Sequence, residues 1–200
     1  MVLLEDFFAV IPSWCIRGSK PWEWLAQLPV FFSGVEWKIR SNVENAALIN
    51  AEHIYIGENC TIEPFVTIKG PVYIGNGVVI RSGAYIREYT VILDHAVVGH
   101  ASEISCSVMM EGSRAAHFNY VGNSVVGREV NMGSHAVLAN VRLDKKPVDV
   151  VINGKRIETG LEKLGSILGD SSTVGASVLL NPGTIVAPGT GVLPEGRVLV

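Results

Sequence analysis

The chain has 200 residues, 48% of them hydrophobic and 18% charged, with a formal net charge of -3. This composition supplies a core, excludes a disordered chain, and is too acidic for a mainly electrostatic nucleic-acid binder. No apolar run approaches the length of a membrane-spanning helix, and Cys15, Cys60 and Cys106 show no disulfide-framework spacing, so a cytoplasmic protein with idle thiols is expected.

The first residues, MVLLEDFF, start apolar but carry Glu5 and Asp6 and no basic leader, unlike a signal peptide. Residues 1–50 lack periodicity and hold Trp14, Trp22, Trp24 and Trp37. Ser19-Lys20-Pro21 predicts a short helix through Leu28, with Pro21 near its first turn and Pro29 stopping it.

From residue 56 every sixth position is aliphatic: Ile56, Ile62, Ile68, Ile74, Ile80, Ile86, Ile92, Val98 and Ile104. Four places behind each stands a small or β-branched residue, from Cys60 and Val66 to Ser102 and Val108. After a shift of phase, Tyr120, Val126, Met132 and Leu138 hold a second run, and Leu168, Val174, Leu180, Val186 and Val192 a third. A period of six fits neither an α-helix nor one long strand. It fits short strands with a bend after each, three to a triangular coil, with coils stacked about 4.8 Å apart. The predicted fold is therefore all-β, a parallel β-helix over residues 51–200. An open solenoid end exposes apolar surface and unpaired strand edges. Residues 1–50 are expected to cap that end as a partly helical segment, with partner binding by the tryptophans as the alternative.

Residues 141–165 interrupt the repeat. Val148–Ile152, then Asn153-Gly154, then Lys155–Thr159 predict a hairpin with a two-residue turn. The arm carries Arg142, Lys145, Lys146, Lys155, Arg156 and Lys163. It is either a solvated loop or an arm reaching a neighbouring subunit or a phosphate.

Irregular places on a rigid solenoid suit a site, and His117 lies at the phase shift, in GSRAAHFNYVG. The segments AYIREYT, MMEGSRAAHFNYVGNSVVGREVNMGSHAVLANVRLD and NGKRIETGLEKLGSILGD carry a resemblance. Residues 54–192 resemble the C-terminal acetyltransferase domain of bifunctional N-acetylglucosamine-1-phosphate uridylyltransferases, most of all the archaeal-type sugar-1-phosphate nucleotidylyltransferase/acetyltransferases. The resemblance implies left-handed winding, a homotrimer, and an acetyl-CoA-dependent N-acetyltransferase acting on an amino-sugar phosphate such as glucosamine-1-phosphate, in nucleotide-sugar and cell-envelope biosynthesis, with no metal required. It implies His117 as general base in the H-x-x-Y motif, with Arg87, Tyr120, Asn131 and Asn140 as substrate-binding residues. For coenzyme A it points to Lys163, Ala176 and Ala187, along a groove between adjacent solenoids.

Two features depart from that pattern. The family's E-V-K motif reads Glu103-Ile104-Ser105 here, so its substrate-binding lysine is a serine. The nucleotidyltransferase domain has no counterpart in this sequence, so uridylyl transfer is not predicted. Two other readings stand beside the transferase. One is a non-catalytic hexapeptide scaffold or binding module. The other is a metal enzyme like the γ-class carbonic anhydrases, using His95, His100 and His117; His95, His117 and His135 are in addition expected to recur at one corner.

Overall fold

The computed structural model describes the chain except residues 1–5, 12, 14, 16–19, 153, 195–197 and 200, and describes the backbone alone at Val198 and Leu199. The expected helix start at Ser19, Trp14 and the turn residue Asn153 lie outside the described residues.

The hexads form a parallel β-solenoid with three faces, which the chain visits in the order I, II, III. Face I stacks the strands 54–56, 72–74, 90–92, 108–109, 125–126, 167–168 and 185–186. Face II stacks 61–62, 79–80, 97–100, 114–117, 131–132, 173–174 and 191–192, and ends in 198–199, which runs antiparallel to its neighbour. Face III stacks 47–49, 67–69, 85–86, 103–105, 120–122, 137–138 and 179–180. Each strand is too short to bury itself. Stability comes from the inward columns, such as Ile56, Ile74, Ile92, Met109, Val126, Leu168 and Val186 on face I, all buried. Each such side chain contributes roughly 1.5–3 kcal/mol.

The phase shift resolves into two shortened corners. Five residues, not six, carry the chain from Ile104 to Met109 and again from Val121 to Val126. The inward column of face III therefore passes through Val121, in register with Ile104 and Leu138. Tyr120, expected in that column, instead points outward and is half-buried.

Residues 1–50 do not act as one cap. Residues 38–50 do begin the solenoid: Ile39 bridges Ile56, and Leu48 pairs with Ile68. The described aromatic residues before them lie instead along the outer side of face I. Phe7, Phe8, Trp22, Trp24, Leu28 and Phe32 share one buried cluster with Val91, Val108 and Val125, the outward row of that face. The physical reason is that this row is apolar and needs cover more than the end of the stack does. Hydrogen bonds fix the segment there: the Asp170 N–H donates to the Phe7 carbonyl at 3.0 Å, and the Ala9 N–H to Asp170 Oδ2 at 2.8 Å.

The single predicted helix is two, α1 (Glu23–Ala26) and α2 (Leu28–Ser33). Pro29 sits in the first turn of α2 and starts it, because a proline there gives up only an N–H that has no helical partner.

The hairpin forms from Val148–Ile152 and Lys155–Leu161, with Gly154 at φ 74° in its turn. It is not a free arm, since Val148 and Val150 join the buried cluster over face I. Arg156 pairs with Asp149 at 2.8 Å and Arg142 with Asp144 at 2.6 Å. The cysteines are free thiols; Cys15 is buried, and burial pushes its pKa far up. No helix among the described residues is long and apolar enough to cross a membrane.

Candidate functional site

The outer side of face III carries polar residues in two rows. One row is Thr67, Tyr85, Glu103 and Tyr120 in register. The second, two residues further along each strand, brings Lys69, Arg87, Ser105 and Gly122 side by side. Arg87 Nη1 lies 2.9 Å from Glu103 Oε1, and its Nε lies 3.8 Å from Glu88. Lys69 Nζ reaches the other Glu88 oxygen at 2.5 Å. The hydrogen bond from Lys69 holds the Glu88 carboxyl below its usual range, and the one to Glu103 raises Arg87 further. Ser105 is buried and falls between Arg87 and Gly122, so the serine leaves this rung of the row without a cation.

Tyr120 folds across Gly122. A Cβ at Gly122 would stand 2.7 Å from both Tyr120 Oη and Asn140 Nδ2, so only glycine admits the phenol there. The phenol donates to Asn140 Oδ1 at 3.4 Å, and Asn140 Nδ2 donates to Asn123 Oδ1 at 2.7 Å. Burial first, then the charge of Glu103, raises the Tyr120 pKa, and Arg87 opposes. The phenol therefore stays protonated, a hydrogen-bond donor beside a guanidinium.

His117 ends the strand 114–117 at the corner from face II to face III, and its side is exposed. Its position is set by two residues outside the predicted site set, Gly99, one of the glycines that follow the repeated aliphatic position, and Asn119. Gly99 permits close approach: a Cβ there would stand 1.5 Å from the Ala116 carbonyl oxygen, so the longer strand pair 97–100 and 114–117 sets His100 beside His117. Asn119 is 2% exposed, and its Oδ1 accepts the His117 N–H at 3.0 Å. Its Nδ2 donates to the carbonyls of Gly133 and Ala136, and its own N–H donates to Ser102 Oγ. A fully partnered buried amide of this kind locks a corner. An asparagine two residues after a histidine is the one sequence signal for it, and it is a weak one.

At the same corner the Phe118 ring lies between His100, edge-on at 5.2 Å, and His135, stacked at 4.9 Å. His100 Nδ1 lies 2.6 Å from the Ser82 carbonyl, which can only accept, so that nitrogen carries the proton. His95 is elsewhere, at the corner from face I to face II, its ring against Gly77. The corner thus holds His100, His117 and His135 rather than the expected set with His95. Nor does the set His95, His100 and His117 converge. Among the described residues no group of three or more His, Cys, Asp or Glu side chains is placed to hold a metal ion.

The remaining predicted residues are spread. Asn140 belongs to the Tyr120 network, whereas Asn131 is exposed on face II, in register with Arg114 and Thr173. Lys163 is exposed after the hairpin, one residue before the Leu164 N–H that donates to the Asn140 carbonyl. Ala176 shares the His117 corner, and Ala187 lies at the corner between faces I and II. A single chain therefore brings Arg87, Tyr120 and Asn140 together, puts His117 at the edge of their face, and leaves Lys163, Ala176 and Ala187 at three different corners. Next to Asn140 an apolar hollow of about 500 Å³ is lined by Val141, Leu143, Leu179 and Pro182.

Residues 53–88 match the bacterial transferase hexapeptide (six repeats) family. The chain is 35% identical over 168 residues to the bifunctional protein GlmU of Methanocaldococcus jannaschii, covering 84% of this chain and 41% of that protein. It is 37% identical over 140 residues to a bifunctional sugar-1-phosphate nucleotidylyltransferase/acetyltransferase of Sulfurisphaera tokodaii, covering 61% of this chain and 35% of that protein. It thus spans between about a third and two fifths of the length of these relatives. A Bacillus cereus crystal structure, provisionally assigned as an acetyltransferase, superposes with a TM-score of 0.53 at 16% identity over 80% of each chain, a likeness of fold.

Proposed function

We propose that this chain of bacterial transferase hexapeptide repeats, which is similar in sequence to part of bifunctional sugar-phosphate proteins, transfers an acetyl group from acetyl-CoA to the amine of an amino-sugar phosphate. The observation that carries the reading is the connected row Arg87, Glu103, Tyr120, Asn140 and Asn123 on an uncovered face, with an exposed imidazole at its edge.

The amine attacks the thioester carbonyl only when neutral. His117, in its neutral form, takes the proton from the attacking nitrogen, a task worth about 10²–10⁴ in rate. Coenzyme A then leaves as the thiol, so the chain needs no nucleophile of its own. Arg87 holds the sugar phosphate by charge-assisted hydrogen bonds, in competition with Glu103. Tyr120, kept protonated by its surroundings, donates to the sugar and is itself oriented by Asn140. Asn131 on face II and the three-corner spread of Lys163, Ala176 and Ala187 fit a site completed by a neighbouring copy in a homotrimer. The exposed apolar residues Leu143 and Leu179 fit the same arrangement.

His117→Ala should lower turnover by about 10²–10⁴ with fold and oligomer intact. The check is free-thiol release with acetyl-CoA and a panel of amino-sugar phosphates; a variant working at the parent rate would sink the base assignment. Ser105 favours a second reading, a binding module without turnover, because the rung beside Arg87 has no cation. Under that reading the parent protein binds a sugar phosphate in calorimetry yet releases no thiol.

A further inference from the structure

A cavity of about 390 Å³ lies on the outer side of face I, away from the face III row, between the first two coils and the turn that follows α2. Its size falls within the roughly 300–1,000 Å³ that small-molecule sites occupy. One wall is aromatic. Tyr55 and Tyr73, partners in register, stack at 4.6 Å with an interplanar angle of 4°. The stack is closed on the Tyr73 side, where Phe31 meets that ring edge-on at 5.5 Å and Val91 is the next rung. On the Tyr55 side the next rung is Lys38, set by the bond from the Ile56 N–H to the Lys38 carbonyl at 2.9 Å.

The other wall is charged, and extended backbone makes it so. Alternate residues of an extended segment point to the same side. Ile39 turns into the core, which leaves Glu36, Lys38 and Arg40 lining the cavity. All three are exposed. Arg40 pairs with Glu58 at 3.1 Å, whereas among the described residues Lys38 has no carboxylate within pairing distance.

We infer that this cavity binds a nucleotide. The base stacks against the tyrosine pair, Glu36 accepts hydrogen bonds from the ribose hydroxyls, and Lys38 with Arg40 holds the phosphate. Every base has a π-face, so stacking of this kind tolerates any of the four. The acidic residue suits a diol, as in other ribose sites, and two cations suit a phosphate. An inorganic anion alone would find Glu36 opposing it and leave the aromatic wall unused. A neutral aromatic ligand would leave Lys38 unused. Burial raises the pKa of the Tyr73 phenol, which backs the Tyr55 ring.

Calorimetry on the full chain with AMP and with UMP, in the absence of any acyl donor or sugar, tests the site independently of the transferase proposal. Saturable binding of at least one of them is expected, and adenosine and ribose 5-phosphate should each bind at least tenfold more weakly than AMP. Lys38→Glu and Tyr55→Leu should each weaken binding at least tenfold. Because Lys38 is exposed, its variant should fold normally and keep the parent thiol-release rate. Absence of saturation by either nucleotide in the millimolar range, or affinity unchanged in Lys38→Glu, would overturn the assignment.

Discussion

On face I the outward row reads Tyr55, Tyr73, Val91, Val108, Val125 and Ile167; the matching row of face III reads Tyr85, Glu103, Tyr120, Val137 and Leu179. Behind both rows stand the same buried aliphatic columns, so the inside is alike and the outside is not. From Val91 onward face I is apolar and lies under the aromatic segment and the hairpin. Face III is polar in its middle coils and open there. A solenoid of this kind therefore fixes its fold with two residues in six and leaves the outward positions to decide which side is wall and which is site.

The contrast can be broken from either side. The largest effect is expected under the cover. Trp24 is fully buried and packs on Phe8 at 5.5 Å. Trp24→Ala should cost about 3–5 kcal/mol of stability, measured by urea denaturation, with the activity per folded molecule unchanged. A loss below about 1 kcal/mol would mean that the cover is not integral to the fold.

The converse holds on face III. Arg87→Ala removes a surface ion pair and should change stability by at most about 1 kcal/mol. It should raise KM for the sugar phosphate about tenfold or more, since hydrogen bonds to charged groups contribute about 1.5–3 kcal/mol. Loss of stability with KM unchanged would make Arg87 a structural residue and erase the distinction between the faces.

The smallest effect sharpens the comparison through pH. Glu88 is held below its unfolded pKa by Lys69, so the stability it contributes is present above the unfolded pKa and is lost as pH falls through the lower folded one. Glu88→Gln should therefore reduce the difference in urea midpoint between neutral and acid conditions, by a small amount because both groups are partly exposed. An unaltered difference would count against the pair.

What was legible in the sequence follows from which residues face inward. The run Ile56 to Ile104 announces the coils because steric demand at the axis repeats without exception. Tyr120 stands six residues before Val126 and so joins the second run by spacing, but the corner between these two strands is one residue short and Val121 takes the inward place. His95 falls one corner too early for the set expected with His117 and His135, because the residue in register with His117 is His100. The cover over face I was unreadable for a different reason. Phe8 and Trp24 show that their segment is buried but not against what, since aperiodic aromatic residues carry no register. At the site, His117 and Tyr120 stood out through their motif, whereas Gly99 and Asn119 act through backbone approach and corner hydrogen bonds, which only the stacked coils reveal.

The final strand reverses direction: residues 198–199 run against 191–192, where every earlier pair on that face is parallel. A further coil, from this chain or another copy, needs a parallel neighbour to continue the winding. The reversed strand occupies the edge of 191–192 on which a further parallel strand of face II would otherwise pair, so on that face the open ladder is already taken.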